Sequence, residues 1–288
     1  MIKLLRGDFN RLFKNKIFRI CVIFMFGIAV LTVFGYWSHS HEMRKAYPDF
    51  TNPPDHTLLE GASTYIGIVI AVFVGIFVGT DYRSGTIRNK HIMGHSRAAM
   101  YFSNLIVCFT ASLILHIVYI AVIAGASALR ITDQFDMSSG EALTLILIST
   151  CSVLALTAII LLVCMLISSR TVGAVSAIIL SVVSFLAASL VDTKLGEDVY
   201  HPAVQQDGTV IYVSDAPDDD PDLRRKILRF VNDLLPDNQL FQLNNGTPGM
   251  TSEGPPRTNR EMFPLYSLAL IAISTTAGIM LFEKKDLR

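Results

Sequence analysis

The residues best placed to do chemistry in this 288-residue chain lie between Thr80 and Arg97. Asp81, Tyr82, Arg83, Ser84, Gly85, Thr86, Ile87, Arg88, Asn89 and Lys90 follow one another, with Ile92, Gly94 and Arg97 close behind. Arg83, Arg88, Lys90 and Arg97 are cations opposed in the stretch by Asp81 alone, so the chemistry on offer is recognition: charge-assisted pairing with the carboxylates of a partner. Ser84 or Thr86 can cap a short helix and Gly94 can end or bend it. Charge alone would equally suit an ordinary basic loop held on the cytoplasmic side of a membrane.

Other chemistries lack their residues. No Gly-x-x-x-x-Gly-Lys-Ser/Thr run is present to cradle nucleotide phosphates, and neither His-Glu-x-x-His nor Gly-x-Ser-x-Gly occurs. This chain is therefore expected to be no enzyme and to carry no cofactor or metal of its own. The four cysteines, Cys21, Cys108, Cys151 and Cys164, sit inside apolar runs, where a thiol acts as a small hydrophobe, and no disulfide is expected. His39, His41 and His56 lack the cysteines or spaced carboxylates of a metal site and read as a solvated loop. His116 is the ionisable group deepest in an apolar run. It is a candidate for lining a pathway, weighed against the blander reading of a hydrogen bond to a neighbouring helix.

The elements that must position these residues belong to a membrane. A chain that is 51% hydrophobic and 17% charged carries more apolar surface than a soluble domain of its length can hide. Residues 1–16 place Lys3, Arg6, Arg11, Lys14 and Lys16 beside Ile2, Leu5, Phe9, Leu12 and Phe13 at helical spacing, an interfacial amphipathic helix. Apolar runs at 17–37, 62–79, 102–129, 142–167, 172–191 and 264–282 are long enough to span. The expected class is an all-α polytopic membrane protein of six spans, with a loop at 80–98, an insertion at 192–263 and a last span and tail at 264–288. Ala71, Gly75 and Gly79 strip one face of the second span, marking a packing face or a dimer seam.

Orientation follows from the cations. Lys3, Arg6, Arg11, Lys14, Lys16, Arg19, the four of the 80–98 loop, Arg170, Lys284, Lys285 and Arg288 fall on one side; the short segments of the other hold Arg44, Lys45 and Arg130. This asymmetry puts both termini in the cytoplasm and the 192–263 insertion outside. Within the insertion, 203–213 reads as a hairpin turning at Asp207 and Gly208, and Leu223, Ile227, Phe230, Val231 and Leu234 as an amphipathic helix ending before Pro236. The acids Asp215, Asp218, Asp219, Asp220 and Asp222 suit the positive end of that helix better than a calcium site.

The run from Asp81 to Lys90, with Gly94, Ser96, Arg97 and Tyr101 following, resembles the segment after the second membrane helix in permease subunits of type-2 ABC exporters. The ending Leu281 to Arg288 is similar to that family's ending, and Leu235 to Leu240 loosely resembles its Pro-x-x-Gln stretch. The resemblance implies that 80–98 forms a cytoplasmic coupling helix docking on a separate ATPase, with Arg83, Arg88, Lys90 and Arg97 as ion-pair donors and Ile87 and Ile92 as apolar anchors. It further implies two permeases, identical or homologous, with two ATPase copies that hold the ATP and magnesium, in a bacterial cell membrane. Nearly uncharged spans suit a hydrophobic or amphipathic cargo, such as a peptide antibiotic, drug or lipid, and disfavour an ion pump or channel. No nucleic acid is expected. The competing expectation is a non-transporting sensor or assembly protein that binds a peptide or cell-wall ligand through the insertion.

Overall fold

A computed structural model of the chain describes residues 1–46, 57–129, 139–167, 169–197, 200–204, 210–214, 223–245 and 260–285. His56, the Asp207–Gly208 turn and the acidic run up to Asp222 lie outside the described residues.

The chain opens with α1 (Ile2–Lys14) and continues through α2 (Lys16–Ala46), α3 (Thr57–Arg83), α4 (Thr86–Ile92), α5 (Arg97–Ala128), α6 (Ser139–Leu166) and α7 (Arg170–Glu197). Strands β1 (Tyr200–Val204) and β2 (Val210–Ser214) pair antiparallel, from Tyr200 opposite Ser214 to Val204 opposite Val210. Helices α8 (Leu223–Leu234) and α9 (Pro236–Asn245) follow, and α10 (Phe263–Lys284) closes the chain. Among the described residues, six helices are long and apolar enough to cross a membrane: Lys16–Ser38, Tyr65–Arg83, Arg97–Ala128, Ala142–Leu166, Arg170–Val191 and Phe263–Lys284.

Packing, rather than apolar periodicity, decides which helix takes the centre, since a helix apolar on every side is also stable against lipid: α3 buries Ile66, Ile70, Ala71, Phe73, Val74, Phe77 and Val78. It packs against α2, α5, α6, α7 and α9, while α6 pairs most extensively with α10 and α2 with α5. Outward-facing Ile20, Phe24 and Leu31 on α2, and Val175, Ile179 and Leu186 on α7, remain exposed, as side chains facing hydrocarbon do.

The small-residue face of α3 is filled from within the chain. A Cβ on Gly75 would stand 2.6 Å from Ala174 Cα, and one on Gly79 2.7 Å from Arg170 Cα. Gly75 and Gly79 thus seat α7, with Ala71 buried on the same helix, and the alternative of a dimer seam at these glycines is corrected: backbone contact with α7 leaves no room for another chain.

In α1 the face turned to the protein is Leu4, Asp8 and Leu12, all buried, while Ile2 and Phe13 stay exposed. The expected amphipathic helix is present, but an acid occupies the middle of its buried face.

Candidate functional site

Helix α3 runs on through Arg83, so Asp81 and Tyr82 leave the apolar bundle still in helical register. Ser84 Oγ donates to Thr80 O at 2.8 Å and lies 2.6 Å from Thr86 Oγ1. That closes α3 instead of capping α4, correcting the expected Ser84 or Thr86 cap: Gly85 holds the N-cap position with φ +66°, a left-handed backbone that glycine reaches without strain. At the far end Gly94, φ +85°, lets His95 N–H reach Lys90 O at 3.2 Å, terminating α4. Ser96 then starts α5 by accepting from Ala99 N–H at 3.2 Å. The result is a two-turn helix held between glycine hinges.

Beneath it α1, α3 and α5 meet around paired charges. Lys90 Nζ donates to Asp8 Oδ1 at 2.7 Å, and Ser103 Oγ of α5 donates to Asp8 Oδ2 at 2.6 Å. Arg11 pairs with Asp81 in direct contact and lies 3.9 Å from Asp8, while Lys90 is 3.7 Å from Asp81. The Arg11 guanidinium also stacks 3.9 Å over the Phe77 ring. Burial pulls the affinities of Lys90 and Arg11 for their protons below the ordinary values, and Asp8 opposes that fall in both. Two acids facing two bases neutralise each other, which is what lets four charges sit out of water.

Lys90 is therefore no outward ion-pair donor. It is 6% exposed, because α4 turns Ile87 and Lys90, three residues apart, onto the same inward face. Ile87 is buried with it and cannot serve as an external anchor. Arg97 is likewise committed inward: its guanidinium donates to Glu283 O at 2.7 Å and to Lys285 O, capping the last turn of α10. Lys285 Nζ in turn donates to Tyr82 Oη at 2.8 Å and to Met165 O at 2.9 Å, and Tyr82 Oη donates to Met165 O. Burial lowers the Lys285 ammonium to about 8. The two stretches most informative in the sequence, 80–98 and the C-terminal tail, thus bond to each other.

What remains facing out is Arg83, Ser84, Arg88, Asn89, His91, Ile92 and Met93. Ile92 and Met93 are 74% and 69% exposed, apolar side chains open to solvent in the same short stretch as the exposed Arg83 and Arg88. That surface can seat in an apolar socket ringed by carboxylates. His91 and Met93 were missed in the sequence, as were Asp8, Arg11, Ser103 and Lys285 as members of the joint.

His116 is 1% exposed and lies 3.0 Å from Ser149 Oγ, bridging α5 to α6, with Thr157 Oγ1 donating to Ser112 Oγ at 2.8 Å two turns away. Buried between helices, it is part of their packing. Among the described residues no group of three His, Cys, Asp or Glu side chains gathers as a metal site. Cys21, Cys108, Cys151 and Cys164 are free thiols.

A second polar cluster marks the opposite end of the bundle. Pro236 opens α9, which enters between α3, α6 and α7. Gln239 Oε1 accepts from Ser152 Oγ and Ser267 Oγ, each at 2.7 Å, and its Nε2 donates to Asp233 O at 2.8 Å. One side chain so joins α6, α8, α9 and α10. Ser184 Oγ of α7 donates to Asp237 Oδ2, and burial pushes the Asp237 carboxyl up to about 6.

A family model described as an ABC-2 family transporter protein matches residues 4–188, from α1 through most of α7. No curated protein matches the chain significantly.

Proposed function

Because the chain belongs to the ABC-2 family of transporter proteins, as a multi-pass membrane subunit, we propose that it is the permease of an ATP-driven exporter energised by a separate ATPase at α4. The observation carrying this reading is the exposed surface of Arg83, Arg88, Ile92 and Met93, on and beside a helix whose inward face is locked by Lys90 to Asp8. A push on α4 reaches α1 through Asp8, α3 through Asp81, α5 through Ser103 and Arg97, and α10 through Arg97 and Lys285. Coupling needs such a rigid contact, since ATP can move the permease only if the ATPase dimer binds one of its conformations better than the other.

The ATPase partner carries the ATP and magnesium. Both termini and α4 lie in the cytoplasm of a bacterial cell, on the side where Lys and Arg concentrate, and residues 192–263 lie outside. A second permease subunit, identical or homologous, completes the pathway. The cargo is hydrophobic or amphipathic, a peptide antibiotic, drug or lipid, because the spans offer few charges as stepping stones for an ion.

Arg88→Glu with Ile92→Asp tests the docking face without touching the buried joint. The wild-type chain, drawn from native membranes in mild detergent, should bring down a P-loop ATPase in comparable amount, and the double variant should lose it while keeping its thermal stability. An ATPase retained at full yield by the variant sinks the docking assignment; a wild-type chain that brings down none sinks the exporter reading.

A further inference from the structure

Helix α8 combines features that the transport reading does not use. Leu223, Ile227, Phe230, Val231 and Leu234 recur along one apolar stripe, and Arg224, Arg225, Lys226 and Arg229 fill most of the remaining positions of its first two turns. The protein covers a different part of the helix: Asn232 is buried and accepts from Asn238 Nδ2 at 2.7 Å, and Leu228 and Leu235 are half-buried beside it. Part of the apolar stripe is left open: Ile227 and Phe230 are each 54% exposed, Val231 and Leu234 are half-buried, and Lys226 is exposed at its border.

Position decides what covers that stripe. The Phe230 ring meets Tyr266 edge-on, with centroids 6.2 Å apart, and Tyr266 lies in the first turn of the span α10. Helix α8 is thereby held at the level where a span enters the bilayer, the depth at which tyrosine rings and amphipathic helices settle. Lys285, at the other end of α10, bonds to the coupling joint, so α8 belongs to the leaflet remote from α4.

We propose that α8 is an interfacial helix: Ile227 and Phe230 enter the acyl boundary of that leaflet, and the basic side chains bind phospholipid headgroup phosphates. Four cations in six residues match the phosphate layer, and the apolar stripe they flank matches the hydrocarbon directly beneath it. Docked in this way, α8 would hold α9 and its Gln239 network at a fixed depth.

The chain has one tryptophan, so Phe230→Trp in a Trp37→Phe background gives a single reporter in the full-length protein. In nanodiscs of phosphatidylcholine and phosphatidylglycerol, lipids brominated near the headgroup should quench this tryptophan strongly, and aqueous acrylamide should leave it largely unquenched. Lys226→Glu with Arg229→Glu should cut the bromolipid quenching severalfold and raise quenching by acrylamide. Strong acrylamide quenching in the unreversed protein would overturn the proposal in favour of a solvated helix. Protection from both quenchers would overturn it in favour of a protein partner on the stripe, and bromolipid quenching untouched by the charge reversal would overturn the assignment to headgroup phosphates.

Discussion

Arg88 and Lys90 are two residues apart, both cationic and both in the same short loop, yet their roles are opposite. A helix turns residues two apart by roughly 200°, so when one faces the bundle the other faces water. Lys90→Met leaves Asp8 buried without its closest cation and should cost about 3 kcal/mol of stability, whereas Arg88→Glu should cost under about 0.5 kcal/mol. Adding Asp8→Asn to Lys90→Met should recover part of the loss, since it removes the stranded charge. Thermal unfolding of the three variants beside the wild type in one detergent checks all of this; equal midpoints for the Arg88 and Lys90 variants would refute the buried joint. Arg97→Ala should cost about 2 kcal/mol, the scale of hydrogen bonds from a charged donor to carbonyls, and raise hydrogen exchange in the last turn of α10. None of these roles was legible residue by residue, because a cation in a basic loop looks the same whether its carboxylate lies on a partner or on α1. Asp8 did leave a trace: it stands between Leu4 and Leu12 at the four-residue spacing of one helix face.

At the scale of elements, contact geometry makes two expectations specific. Gly75→Leu would drive a side chain into the backbone of α7 at Ala174, so α3 and α7 must separate. The variant should express poorly or lose several degrees in its unfolding midpoint, while Gly27→Leu, where a Cβ meets nothing within 4 Å, should be silent. Helix α9 carries a pH dependence. Its Asp237 carboxyl is raised from 3.8 to about 6, chiefly by burial, against a lowering from the Ser184 hydroxyl. A docked helix that holds its proton more tightly than an undocked one is most stable below pH about 4, and loses stability as pH rises to about 6. Amide exchange across α9, corrected for intrinsic rates, should therefore show stronger protection at pH about 4.5 than at about 7, and Asp237→Asn should flatten the difference. A wild-type profile already flat would show that the carboxyl is not desolvated. The helices themselves were legible, since periodicity and run length mark them; α9 was not, because ten mostly polar residues give no sign that they will enter a bundle of apolar spans.

For the whole molecule, the topology predicts that the Lys90–Asp8 joint and α8 are reached from opposite sides of the bilayer. The native thiols are buried or half-buried, so Arg83→Cys and Lys226→Cys can be labelled selectively with an impermeant maleimide in sealed vesicles of known orientation. Label should reach one from the interior-facing side only and the other from the opposite side only; labelling of both from one side would sink the topology. The sequence by itself determined the class of protein, six spans and the resemblance that the family match bears out, because run length, composition and charge asymmetry act locally and survive without knowing what touches what. Only the tertiary structure decided which cations of the 80–97 stretch are left for a partner. Pairing depends on which acceptor each cation meets: the Asp8 carboxylate is 82 residues from Lys90, the Glu283 carbonyl 186 from Arg97, and the Met165 carbonyl 120 from Lys285. Separations of that size leave no periodic trace in a chain, and only the packing of α1, α3, α5, α6 and α10 around one end of the bundle brings those groups within reach.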